Sequence, residues 1–134
     1  MKKIIILIII LGLFVFSCQK ETELTAFKTG IEKNFQFGVD YLSNTNSLKF
    51  KITEINDSRC PSDVVCIWAG KADVKIEVES PVTGAINLST YDNPVDTVGN
   101  FSFEIIDVLP YPISTKTIQL EEFNVTLKIV ELTD

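Results

Sequence analysis

From residue 35 onward apolar and polar positions alternate with a period of two. Phe35, Phe37, Val39 and Tyr41 are separated by polar or small residues. Leu48, Phe50 and Ile52 alternate with Lys49, Lys51 and Thr53. Val74, Ile76 and Val78 alternate with charged residues, Ile86 and Leu88 with Asn87 and Ser89, and Phe101, Phe103 and Ile105 with Ser102 and Glu104. Ile118 and Leu120, then Phe123, Val125, Leu127 and Ile129, continue the pattern to the end of the chain. A side chain every second position faces the same side of a strand, so each run predicts a strand with one face on a core and one in water. Turn chemistry separates the runs. "SNTNS" (43–47), "SPVTG" (80–84), the longer "DNPVDTVGN" (92–100) and "LPYPIST" (109–115) are rich in Pro, Gly, Asn and Ser. Pro110 and Pro112 lack the N–H that a central strand needs. Short strands at this spacing without helical periodicity predict an all-β fold. The expectation is a single immunoglobulin-like β-sandwich of about seven antiparallel strands over 31–134, with a closed barrel as the alternative.

The first 30 residues follow different rules. Lys2 and Lys3 precede an apolar run from Ile4 to Phe16, then Ser17 and Cys18. A positive start, a short apolar core and a small residue before the cut mark a secretory signal over 1–17. The run is too short for a membrane-spanning helix, which needs about 20 apolar residues. Val15-Phe16-Ser17-Cys18 resembles the lipobox of bacterial lipoproteins. That resemblance implies acyl chains on Cys18 and attachment to a membrane, with palmitate-type lipids as the anchor. Two or more chains give a stable tether where one holds only marginally. "CQKETE" lacks an Asp after the Cys and resembles the Lys-then-acid signal of Bacteroidetes-type outer-membrane lipoproteins. It implies an outer-membrane location, surface-exposed; a plain polar linker is the other reading. Residues 18–30 are expected to be the lipidated Cys and a flexible tether.

Charge and composition narrow the function. Cleavage after residue 17 removes two lysines and no acid, taking the net charge from −6 to −8. An acidic domain without a basic run argues against nucleic acid as a partner. The chain has no His, so it lacks the commonest general base and metal ligand. No nucleophile-elbow or nucleotide-binding glycine pattern occurs. We expect no enzyme activity and no cofactor.

The densest stretch of special residues is "NDSRCPSDVVCIWAGKADV", 56–74, with two of the three cysteines and the only Trp. Zinc would need four Cys or His ligands, and a reactive dithiol is normally two residues apart at a helix start. Neither fits Cys60 and Cys66, with five residues between them in an exported chain, so the expectation is a Cys60–Cys66 disulfide. "CIWAGKADVKIEVE" reads as the longest strand, with Ile67 and Trp68 on opposite faces. Gly70 then marks a bulge or a close backbone approach. Trp68 has two readings, packing in the core or stacking on a ligand. Arg59, between Asp57 and Asp63, reads as a local ion pair. Asp57, Arg59, Asp63 and Trp68 make up the candidate interaction loop. "DSRCPSDVVCIWAG" resembles a motif of small bacterial lipoproteins in which Asp-Ser-Arg-Cys-Pro and Cys-Ile-Trp-Ala-Gly bracket a short variable middle. That resemblance implies the fold and compartment and no activity.

Three weaker signals complete the list. Asp92, Asn93 and Asp96 offer oxygens to a cation without the order of an EF-hand loop. Asp96-Thr97-Val98 resembles the O-glycosylation motif of Bacteroidetes-type exported proteins, with Thr97 as acceptor in an exposed loop. Glu121-Glu122 reads as the polar turn before the last strand. The functional expectation is a surface binding or accessory domain for a protein or glycan. The alternatives are a structural envelope protein, in which Trp68 is buried, and a protease-inhibitor-like stapled loop.

Overall fold

The computed structural model describes residues 24–45 and 47–133. The signal segment, Cys18 and the sorting sequence lie outside the described residues. Nine strands occur among those described: β1 (Thr25–Phe27), β2 (Glu32–Gln36), β3 (Asp40–Ser43), β4 (Lys49–Asp57), β5 (Ala72–Ser80), β6 (Gly84–Ser89), β7 (Val95–Val98), β8 (Phe101–Leu109) and β9 (Asn124–Glu131). They form a five-stranded sheet, β1-β3-β4-β5-β6, and a four-stranded sheet, β2-β9-β8-β7. The protein is an all-β sandwich. Four consecutive strands form a meander on one sheet, so the strand order is not the interleaved one of an immunoglobulin constant domain.

The period-two pattern builds the core. Phe50 and Ile52 of β4, Val74, Ile76 and Val78 of β5, and Ile86 and Leu88 of β6 turn inward from one sheet. Phe101, Phe103 and Ile105 of β8 meet them from the other, with Val125, Leu127 and Ile129 of β9. Phe27, Phe35, Tyr41, Phe50 and Phe103 form an edge-to-face and stacked aromatic cluster, with centroids 4.8–5.6 Å apart.

Several expectations change. The single first strand, 35–41, is two strands in different sheets. Gly38, at φ +73°, turns the chain between them and donates its N–H to the Ile52 carbonyl at 3.0 Å. The tether does not extend to residue 30. β1 pairs in parallel with β3, and Phe27 is buried against Phe35 and Phe50. The 92–100 loop contains an edge strand, β7, and residues 118–120 lead into a short 3₁₀ turn rather than a strand. Glu121 and Glu122 lie in that turn, where Glu122 accepts from the Gln119 N–H at 2.8 Å and pairs with Lys116 at 2.6 Å. Both contacts hold its carboxyl below the ordinary range, the Gln119 amide first.

Residues 66–71 do not begin the long strand, which starts at Ala72. The stretch 58–71 is a loop at one end of the sandwich. The β6–β7 loop lies at the same end, as the pairings Asp57↔Ala72 and Asp73↔Ser89 place it, and so does the β8–β9 connection, through the bonds from Arg59 to Val108 and from Ser114 to Asp63.

Candidate functional site

The 58–71 loop begins where β4 hands over to a clasp. Asp57 accepts from the Arg59 guanidinium through both oxygens, at 2.8 Å from Nε and 2.6 Å from Nη2. Arg59 then reaches the other sheet, donating to the Val108 carbonyl at 2.7 Å and to the Pro110 carbonyl at 3.3 Å. Its guanidinium carbon lies 4.4 Å from the Tyr111 ring centroid. Both side chains are buried, Arg59 at 6% exposure and Asp57 at 7%. A planar fork with five donors suits a site that holds a carboxylate and two carbonyls together. These two residues are therefore the clasp between the sheets and not part of a contact surface.

Asp63 is not Arg59's partner. It accepts from the Ser114 amide at 2.8 Å and the Ser114 hydroxyl at 2.5 Å. The hydroxyl, then the amide, holds its carboxyl below the ordinary range. Ser62 donates its amide to the Pro112 carbonyl at 3.0 Å. Within the loop, the Ser58 amide meets the Lys71 carbonyl at 2.8 Å and the Cys60 amide meets the Ala69 carbonyl at 2.7 Å. The Cys60–Cys66 disulfide is present, with its Cα atoms 5.9 Å apart. Gly70 is the expected close approach. At φ +70°, any Cβ there would run into the Ser58 carbonyl and lie 2.8 Å from the Arg59 Cα.

These ties fix the loop and leave its apolar side chains outside. Val65 and Ile67 are fully exposed, at 101% and 99%, and Trp68 is 81% exposed. The expectation that Ile67 and Trp68 straddle a strand fails for that reason, and so does the reading of Trp68 as a core residue. The β6–β7 loop adds Tyr91, 79% exposed, and is held beside Lys71 by reciprocal bonds of 3.0 Å between Thr90 and Ala72. An open groove of about 480 Å³ is lined by Ser58, Trp68, Ala69, Gly70, Lys71 and Tyr91.

The charges around the groove are engaged. Lys71 lies 3.0 Å from Asp92 and 3.3 Å from Asp73. Hydrogen bonds to these two carboxylates raise its pKa, Asp92 contributing first. Asp92 is held low by Ser89 and then by Lys71. Asn93 donates to the Asn87 carbonyl at 2.7 Å, and Asp96 accepts from the Thr97 amide at 2.8 Å. The three cation candidates thus face different partners, and among the described residues no cluster of three acidic or Cys side chains forms. Thr97 is exposed, on edge strand β7 rather than in a loop.

Comparison with family models, curated proteins and solved structures finds no match to this chain.

Sequence reasoning found the staple and the glycine. It missed that Arg59 joins the two sheets, because Val108 and Pro110 lie 49 and 51 residues away. It also missed Tyr91, whose loop carried no signal linking it to 58–71.

Proposed function

We propose that this chain is a non-enzymatic lipoprotein of the outer membrane, acylated at Cys18, that acts by contact through its stapled loop. The partner class that the sequence points to is a protein or a glycan, and Thr97 is the candidate glycan acceptor. The observation that carries the reading is the exposure of Trp68 on a loop held still by a disulfide, an ion-pair clasp and the Asp63–Ser114 bonds. Aromatic side chains are the commonest anchors of interfaces, and a loop already ordered loses little entropy on binding. A purely structural envelope protein gives no reason to leave Trp68, Ile67 and Val65 in water. An inhibitor-like ring would present an extended strand. Here the Val64 amide turns back to the Pro61 carbonyl at 3.3 Å.

The test is crosslinking in intact envelopes, comparing the wild-type chain with Val65→Ser/Ile67→Ser/Trp68→Ala. All three side chains are exposed, so folding is expected to be unchanged. Loss of an envelope component from the crosslinked set supports the reading. An identical set from both chains refutes it. Intact mass of the mature chain reads the acyl groups on Cys18 and any glycan on Thr97. A mature chain whose mass carries no acyl groups on Cys18 would refute the anchor.

A further inference from the structure

We infer that the partner of the stapled-loop end is a neutral oligosaccharide, which stacks on Trp68 and Tyr91 and continues along the outer face of β4, β5 and β6. The inference rests on the contact reading above and names the chemistry of the ligand.

The groove beside Trp68 does not stop at the loop. Two of its lining residues, Ser58 and Lys71, are joined through the Ser58 amide and the Lys71 carbonyl, and so extend the β4–β5 ladder one step past Asp57↔Ala72. Two positions further in, Asn56 pairs with Asp73, and the next outward pair is Glu54 with Lys75. β6 places Asn87 opposite Lys75. Period two turns these side chains outward, because Ile55, Val74 and Leu88 beside them are buried in the core. Lys71, Asp73 and Asn87 line a second hollow of about 610 Å³ that adjoins the first. Asp73 and Asn87 also line a third, of about 210 Å³, with Glu54, Asn56 and Lys75. Lys71 to Lys75 is a rise of about 13 Å at ~3.3 Å per residue, longer than a single sugar ring.

The two parts of this track match the two parts of a sugar. A pyranose has C–H faces that lie against an aromatic ring and a rim of hydroxyls that both donate and accept. Trp68 and Tyr91 offer the rings, both largely exposed. Asn56 and Asn87 are exposed on the sheet, and each side-chain amide offers a donor and an acceptor. An apolar peptide laid along the track would leave such groups unpaired. The cations of the track are already matched, Lys71 by Asp73 and Asp92 and Lys75 by Glu77. An anionic ligand would meet those carboxylates and the acidic balance of the chain. A cationic one would have to displace Lys71 from the acids it neutralises. The charge pattern thus selects a neutral ligand.

Trp68 is the chain's only Trp, so its fluorescence reports the aromatic end of the track. The mature chain carrying Cys18→Ser is titrated with neutral hexasaccharides of glucose, xylose, mannose and N-acetylglucosamine, with the matching disaccharides, and with an oligogalacturonate as the anionic control. At least one neutral hexasaccharide is expected to shift the emission to the blue and to bind roughly tenfold more tightly than its disaccharide, as added hydrogen bonds along the sheet would give. The oligogalacturonate is expected to leave the emission unchanged. In Asn56→Ala/Asn87→Ala the gain from chain length is expected to disappear while the disaccharide binds as before. Val65 and Ile67 do not line the groove, so Val65→Ser/Ile67→Ser is expected to bind the hexasaccharide as the wild-type chain does. No response to any of the neutral hexasaccharides at millimolar concentration overturns the inference. So does a hexasaccharide bound equally well by the wild-type and Asn56→Ala/Asn87→Ala chains. A protein crosslinked in envelopes through the tip, with no response to the sugars, identifies a protein partner; it overturns the inference and leaves the contact reading standing.

Discussion

Arg59 sets the geometry of the loop end because it is buried and carries more than one partner. Removing the guanidinium in Arg59→Ala leaves the buried Asp57 carboxylate with the backbone amide of residue 59, at 3.1 Å, and without its counter-charge, and takes the donor from the Val108 and Pro110 carbonyls. Breaking a buried pair in this way costs about 3–5 kcal/mol, against ~0–1 kcal/mol for an exposed pair. The expected outcome is a lower urea midpoint with an unchanged slope; a change as small as that of a surface pair would show that the clasp is dispensable. Asp63 ties the disulfide ring to Ser114 in a different way, through an exposed carboxylate whose pKa is depressed on folding by the Ser114 hydroxyl and amide. A depressed pKa places the contribution above the unfolded value of about 3.9. It is lost as pH falls through the lower folded value. The Ser114 amide resonance is expected to titrate in that acid window and to become flat in Asp63→Asn.

At the scale of elements, the short first strand and the stapled loop are both more structured than their sequences suggest. β1 has three residues, yet Phe27 packs edge-on against Phe35 and Phe50 at 5.4 Å. Phe27→Ala is expected to cost about 3–5 kcal/mol in chemical denaturation, as for other buried Phe side chains. A tether residue would cost almost nothing. The disulfide closes a ring of seven residues, which the loop-closure relation values at about 2.4 kcal/mol. The double variant Cys60→Ser/Cys66→Ser is therefore expected to fold with a reduced melting temperature. Its tip is then fastened only by hydrogen bonds and the Arg59 clasp, so iodide quenching of Trp68 in solution stays high.

The whole molecule is polarised between its two ends. One carries the clasp, the ring, Trp68 and Tyr91; the other carries the β5–β6 and β7–β8 turns and the end of β9. The side chains exposed at the tip, Val65, Ile67 and Trp68, carry no charge, so a contact made through them is expected to persist when salt is added during crosslinking in intact envelopes. A crosslink lost with added salt would point to an attractive charge contact instead.

The local pattern was enough to define the all-β class, the inward faces of β4, β5, β8 and β9, the disulfide and the close approach at Gly70, because alternation, Cys spacing and a missing Cβ are properties of neighbouring residues. Even there it slipped where a bulge changes parity: Ile55 and Val108 point inward three positions after Ile52 and Ile105, across register shifts in β4 and β8. Nor does alternation say which sheet a strand joins, so the run from Phe35 to Tyr41 hid a crossing at Gly38. The candidate site depended most on distant contacts. "CIWAG" alternates like a strand, yet no neighbouring strand pairs with it, and the backbone bonds close across the loop itself. Arg59 found its partners 49 and 51 residues along the chain, and Asp63 its partner 51 residues away. Those distant bonds left Trp68 and Ile67 outside the core. The residue types of the opening motif were fixed by the sequence, and their exposure was decided by contacts that only the folded chain can make.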